Sequence, residues 1–233
     1  MTRDYPQPLV SVDVVPIRYN YDTAAVEIIL GRRIFEPALG ELALPGVLVG
    51  HEHIDDAAAR ALRVKVGMLA DLAPLTRSVG VFDGDLRDER GPTISIAQLA
   101  LFPPVRDGSS TPYEHDPKRH APVGLSIRGL PFDHDKIVSE AARALLLLLF
   151  ADREVTQALL PHPFTTVAAQ QVVDSLAERA ATLEGVSAIP APQLRPRTLE
   201  RTEWLEQAPA PSQPRGRVGR GRPAVEWCWS KRT

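Results

Sequence analysis

The chain has 233 residues, enough for one large domain or two modest ones, and its 44% hydrophobic, 24% charged composition is ordinary for a soluble globular protein. A single cysteine, Cys228, excludes an intramolecular disulfide and fits a reducing cytoplasm; no apolar stretch forms a signal core or approaches the roughly 18 residues needed to span a bilayer. The net charge of −2 is unevenly spread: from residue 190 onward nine basic residues face four acidic ones, so this end carries +5 and residues 1–189 carry −7, which points to a polyanion at the basic end.

In chain order, residues 10–19 (VSVDVVPIRY) and 24–30 (AAVEIIL) are rich in β-branched side chains and predict two strands. A Gly/Pro-punctuated loop follows, and then Ile54, Ala57, Ala58, Ala61 and Leu62 recur at the spacing of an amphipathic helix. RSVGVF and TISIAQLALF predict two more strands around a charged loop, DGDLRDERGP. Residues 103–132, rich in Pro, Gly, Ser and charge, read as a long surface excursion that closes a first domain, 1–132.

From Asp133 the character turns helical. Asp133 or Asp135 is placed to cap a helix through IVSEAARALLLLLF, whose Ala144–Phe150 stretch suits a buried helix or a subunit interface. After LLPHPF, Thr165 or Thr166 is placed to cap a second helix, with Ala169, Val172, Val173, Leu176 and Ala180 on one face and Gln170, Gln171, Asp174 and Glu178 on the other. RTLERTEWLEQ predicts a short polar helix with Pro196 in its first turn, and RGRVGRGRPAVEWCW a Gly/Arg turn feeding a strand. Helix, helix, short polar helix and β-ribbon is a winged helix-turn-helix order, so 133–233 reads as a DNA-binding domain.

One spacing carries chemistry. Gly46 is followed by five residues, Glu52, seven residues, and then Arg60-Ala-Leu-Arg-Val-Lys-Val-Gly-Met68. This resembles a Nudix box in Gly46, Glu52, Arg60, Leu62, Gly67 and Met68. The three later glutamate positions hold Ala61, Val64 and Lys65 instead. Hydrolysing a pyrophosphate calls for a divalent cation held by oxygen ligands on one helix face, and Glu52 alone does not supply them. The segment therefore predicts ligand binding without hydrolysis: no catalytic residue and no metal ligand. The competing reading is a Nudix hydrolase acting on ADP-ribose or a related nucleoside diphosphate with a non-standard metal site. A metabolite-binding adaptor without DNA affinity is the third.

The flanking motifs extend the resemblance. Arg33-x-x-Glu36-Pro37-x-x-Gly40-x-x-Ala43-Leu44-Pro45-Gly46 resembles the approach to the Nudix helix in ADP-ribose pyrophosphatases, and Phe82–Gly91 with TISIAQLAL resembles their Arg-Asp-x-Arg loop and strand. Phe132-Asp133-His134, Leu159-Leu160-Pro161, Phe164-Thr165 and Gly221-Arg222-Pro223-Ala224 complete an ordered series similar to the NrtR family, the Nudix-related transcriptional regulators of NAD metabolism. Leu42, Val47, Thr198 and Glu200 depart from the family pattern. The resemblance implies an α+β protein: a Nudix α/β/α sandwich with a mixed sheet, then a winged helix-turn-helix. It further implies a cytoplasmic homodimeric repressor of NAD-biosynthesis genes, with double-stranded operator DNA as partner, no cofactor, and ADP-ribose as the effector that releases DNA.

Individual residues follow from these readings. Arg33, Arg87 and Arg90, with Asp85 in the same loop as the last two, are candidate phosphate-gripping or ligand-positioning groups. Pro45, Gly46 and Val47 offer backbone groups to the ligand, and Arg60 either meets it or braces the Gly46 loop. Thr166, Gln170 and Gln171 lie on the helix expected to cross the DNA backbone. Arg195, Arg197, Thr198 and Arg201 belong to the candidate recognition helix, arginine being well matched to guanine edges. Arg215, Arg217, Arg220 and Arg222 suit a wing tip touching phosphates or a minor groove. The histidines lack zinc spacing and read as solvated loop residues. Cys228, between Trp227 and Trp229, reads as a packed strand residue.

Overall fold

A computed structural model describes residues 7–67, 74–83, 91–105, 116, 118–182, 190–208 and 225–230. Its centre is β1 (Leu9–Asn20), buried from Ser11 onward. Alternation along this strand sends Val12 and Val14 to one face, and Val15, Ile17 and Tyr19 to the other. Strand β2 (Ala25–Arg32) pairs antiparallel with β1 from Ile17, and β4 (Gly46–Leu48) pairs with β1 up to Asp13. Pro16, which has no N–H to give, falls between these two ladders.

On its other side β1 runs parallel to β6 (Thr93–Leu101), which pairs antiparallel with β5 (Leu75–Phe82). Short β3 (Leu42–Ala43) and β7 (His120–Gly124) both add to β2, completing a seven-stranded mixed sheet. Strand β7 corrects the reading of 103–132 as surface excursion throughout. Its ladder from Gly31 to Glu27 of β2 supplies the hydrogen bonds that its own Pro-containing sequence does not advertise.

Helix α1 (Ile54–Val66) covers one face through Ala57, Ala58, Ala61, Leu62 and Val66 against Val12, Val14, Ile29, Ala100 and Phe102. It stops at Gly67, whose left-handed φ of 64° lets its N–H reach Leu62 O. Helix α2 (His134–Leu148) covers the opposite face with Ile137, Val138, Ala141, Ala142 and Leu145. Asp133 stands at the N-cap without a side-chain cap bond. Asp135 does not cap either; its Oδ2 accepts the N–H groups of Gly129 and Leu130 at 2.8 and 3.0 Å.

Behind α2 comes α3 (Arg153–Leu159), in a stretch for which the sequence reading predicts no element. Asp152 caps it by accepting Val155 N–H. Then follow β8 (Phe164–Thr165), α4 (Thr166–Ala180), α5 (Pro196–Leu199), β9 (Leu205–Gln207) and β10 (Glu226–Trp229). Thr165 caps α4 through Ala168 N–H, one of the two candidates expected there, and the five expected apolar residues of α4 are all buried. Strands β8, β10 and β9 form an antiparallel three-stranded sheet. Helix, strand, two helices and two strands is the winged-helix element order.

The position 132/133 falls at the start of α2, and the core runs straight across it. Side chains of the large sheet, α2, α3 and α4, with Phe164 and Trp227, belong to one continuous apolar cluster. Polar ties reinforce the junction: Arg77 of β5 bridges to Asp152 at 2.9 Å, and His162 N–H donates to Tyr21 Oη at 3.1 Å. Arg179 of α4, only 1% exposed, donates to Asp135 Oδ1 at 2.7 Å, to Asp135 O, and to Ile127 O.

Candidate functional site

The end of β2, strands β3 and β4, and the last turns of α1 enclose a cleft of about 510 Å³ whose far wall is Phe132 and His134 at the start of α2. Gly46 lies where β4 crosses β1. A Cβ there would stand 2.1 Å from Asp13 Oδ1, so the backbone of the loop comes this close to the strand only because the residue is glycine. Asp13 Oδ2 accepts Ser95 Oγ–H at 2.6 Å, and Oδ1 lies 3.8 Å from His134 Nε2. His134 Nδ1 accepts Leu44 N–H at 3.1 Å, which places a neutral ring's proton on Nε2, toward Asp13. Two histidines expected to be solvated are thus buried: His134 at 4% exposed, and His120 at 2% as the first residue of β7.

Arg60 grips Glu52 through Nε and Nη2 and donates to Leu48 O at 2.8 Å. The Arg60 hydrogen bond holds the Glu52 carboxyl below its ordinary range, so the pair stays ionised and ties α1 to the Gly46 loop. Arg60 therefore braces that loop while also lining the cleft. Arg33 donates to Pro37 O at 2.6 Å and lays its guanidinium 4.7 Å from the centre of the Phe132 ring. Arg119 Nη2 donates to Val64 O at 3.1 Å, a cation set against the carbonyl end of α1. Among the lining residues Arg32, Arg33, Arg60, Lys65 and Arg119 face two carboxylates, Asp13 and Glu36. Such a cleft favours an anion.

Of the expected ligand residues, the structure brings Arg33, Gly46, Val47 and Arg60 together. Pro45 is buried behind them, its carbonyl taken by Val14 N–H at 2.9 Å, and so has no oxygen to turn toward the cleft. Asp85, Arg87 and Arg90 lie outside the described residues. Asp13, Arg119 and His134 were missed as lining residues, while Lys65 was expected at a box position but not among the ligand contacts. His134 had a signal in the Phe132-Asp133-His134 motif; Arg119 had none, since it is placed by the turn that leads into the unanticipated β7.

At the other end, Arg195, Arg197, Thr198 and Arg201 are exposed. Helix α5 is one turn long, so Arg201 sits in the turn after it. Gln171 is exposed on α4. Two of its neighbours, Gln170 and Thr166, make hydrogen bonds within the chain. Gln170 donates to Pro192 O and Asp174 and accepts Leu194 N–H at 2.7 Å, clamping the approach to α5, while Thr166 Oγ1 accepts the Trp227 indole N–H at 3.0 Å. Arg215, Arg217, Arg220 and Arg222 lie outside the described residues. Cys228 is half-buried in β10, as a strand residue, its Sγ 3.5 Å from Glu206 O.

No protein-family model and no curated protein matches the sequence. Solved structures match it over nearly its whole length. NrtR of Shewanella oneidensis is similar with a TM-score of 0.60 at 22% identity, covering 95% of this chain and 94% of its own. The fold is that of NrtR. The same protein complexed with a 27mer DNA gives a TM-score of 0.58 at 21% identity, over 95% and 93% of the two chains. A MutT/Nudix family protein from Enterococcus faecalis gives 0.61 at 18% identity, over 97% and 89%. These likenesses establish a Nudix-type α+β architecture, and their coverage takes in the helical rear with its three-stranded sheet. No helix among the described residues is long and apolar enough to cross a membrane.

Proposed function

We propose that this chain is a homodimeric transcriptional repressor of NAD-biosynthesis genes. It senses ADP-ribose or a related NAD metabolite in the Nudix cleft, does not hydrolyse it, and releases operator DNA when the ligand binds. The observation that carries this reading is the cleft wall itself: Val64 and Lys65 line it at two of the positions where a Nudix box has glutamates, and the remaining box carboxylate, Glu52, is held by Arg60. A site so equipped retains an anionic ligand better than it activates water. The choice of ADP-ribose rests on the sequence motifs around the box.

Two further observations support the DNA-binding half. Exposed Arg195, Arg197 and Arg201 cluster on and beside α5, and the rear has the winged-helix element order. The structure of similar fold from Shewanella oneidensis is a complex with DNA. The test is a gel shift on promoter fragments of NAD-biosynthesis genes, with and without ADP-ribose and Mg²⁺, followed by product analysis of the same tube. Release of DNA with intact ADP-ribose is expected. Formation of AMP by pure protein would instead favour the hydrolase, and failure to bind any promoter fragment would remove the repressor.

A further inference from the structure

A Nudix fold ordinarily works with a divalent cation, and the donor set of this cleft does not suit one. Hard cations such as Mg²⁺ need several oxygen ligands at near-octahedral positions. Three carboxylates near the box have polar partners: both Glu52 oxygens meet Arg60, Asp55 Oδ1 accepts from Gln98 Nε2 at 3.1 Å, and Asp13 Oδ2 accepts from Ser95. Among the described residues, no group of three His, Cys, Asp or Glu side chains could hold a metal ion.

What the cleft has instead is fixed positive charge on the same helix end. Gly31 of β2 lets the last turn of α1 lie close: a Cβ there would stand 3.1 Å from Lys65 O and 3.5 Å from Lys65 Cβ. That contact sets the Lys65 stem at the cleft wall, where the residue is half-buried. Arg119, hydrogen-bonded to Val64 O, brings a second cation to the same turn, and Arg60 stands one turn earlier on α1. We infer that Lys65, with Arg119 beside it, is a built-in counter-ion that neutralises the diphosphate of the ligand, so that binding requires no metal. The inference rests on the reading of the cleft as a nucleoside-diphosphate sensor and names the group that makes the sensor self-sufficient.

The physical logic is one of substitution. A diphosphate brought against a half-buried wall loses water, and something must face its charge there. In a hydrolase a bound metal does so and also activates water; an ammonium supplies the charge and the hydrogen-bond donors but leaves water unactivated. The lysine at position 65 thus stands where the box would have a metal ligand and supplies in its place a charge that holds the diphosphate.

Calorimetric titration of the full chain with ADP-ribose, in EDTA and in Mg²⁺, tests the inference. Equal affinity in the two buffers is expected. Lys65→Met should weaken binding about ten- to hundred-fold, the loss of one charge-assisted bond, and Lys65→Arg should restore most of it. Circular dichroism on each variant checks that the fold is intact. Binding by the wild type that appears only with Mg²⁺, or unchanged affinity in a folded Lys65→Met, would overturn the counter-ion and leave the sensor standing. No binding of ADP-ribose in either buffer would bring down both.

Discussion

Replacing Arg179 with methionine would remove a buried cation from the seam between α4 and α2. The guanidinium is almost wholly buried and donates to three acceptors: the carbonyls of Ile127 and Asp135, and the Asp135 carboxylate. Burial lowers its pKa, with the Asp135 bond working against that shift and Arg128 adding to it, so the cation sits there at a desolvation cost. Methionine fills much of the space and relieves that cost. It also leaves two backbone carbonyls without their donor and removes a charged hydrogen bond. A charged bond contributes about 1.5–3 kcal/mol and each stranded buried acceptor costs about 1–3 kcal/mol. Set against the relief of charge burial and the partial exposure of Asp135, a net loss of about 2 kcal/mol is expected for Arg179→Met. That corresponds to roughly 4–8 °C in Tm for a domain of this size. Arg179→Ala adds a cavity and should lose about 4 kcal/mol. Urea unfolding followed by tryptophan fluorescence reads the change directly, because Trp204, Trp227 and Trp229 all pack against the apolar cluster to which α2 and α4 contribute. A methionine variant as stable as the wild type would show that the desolvation of Arg179 outweighs its bonds, and would refute the reasoning.

Three further outcomes are expected. Thr165→Ala removes the N-cap of α4 and should cost about 1 kcal/mol in the same urea assay. Burial pushes the Asp152 carboxyl up, but Val155 N–H and the Arg77 guanidinium more than offset this and hold it below its ordinary value. Its contribution to stability is then complete above about pH 4 and is lost as the pH falls through the depressed pKa, so Asp152→Asn should flatten the acid limb of a stability-against-pH curve. If the winged helix binds DNA as proposed, affinity should fall steeply with salt, and Arg197→Ala or Arg201→Ala should each cost about 1–3 kcal/mol of binding and relax the preference for guanine at the contacted position.

Patterns that report on a residue's immediate neighbours were legible in the sequence. A run of β-branched side chains marked β1 because both sides of that strand meet apolar layers, and the apolar stripe at helical spacing marked α1 and α4 because each helix buries one face. Thr165 was legible as a cap because capping is settled within four residues of chain. The box spacing survived because Gly46, Glu52 and Arg60 constrain one another locally, through the close pass of Gly46 over Asp13 and the Glu52–Arg60 pair.

Everything that depends on a distant partner waited for the tertiary structure. Strand β7 has no pattern of its own and exists by adding to β2, some ninety residues earlier in the chain. The burial of His134 is fixed by Leu44 N–H and by Asp13, and that of Arg179 by Asp135 and Ile127. The clamp role of Gln170 comes from the loop before α5, over twenty residues away. The sequence by itself set Val64 and Lys65 at positions where the box it resembles carries glutamates. Only the fold determined that these positions face a cleft already rich in arginine, because the end of α1, the end of β2 and the start of β7 are brought together by one sheet and not by the chain between them.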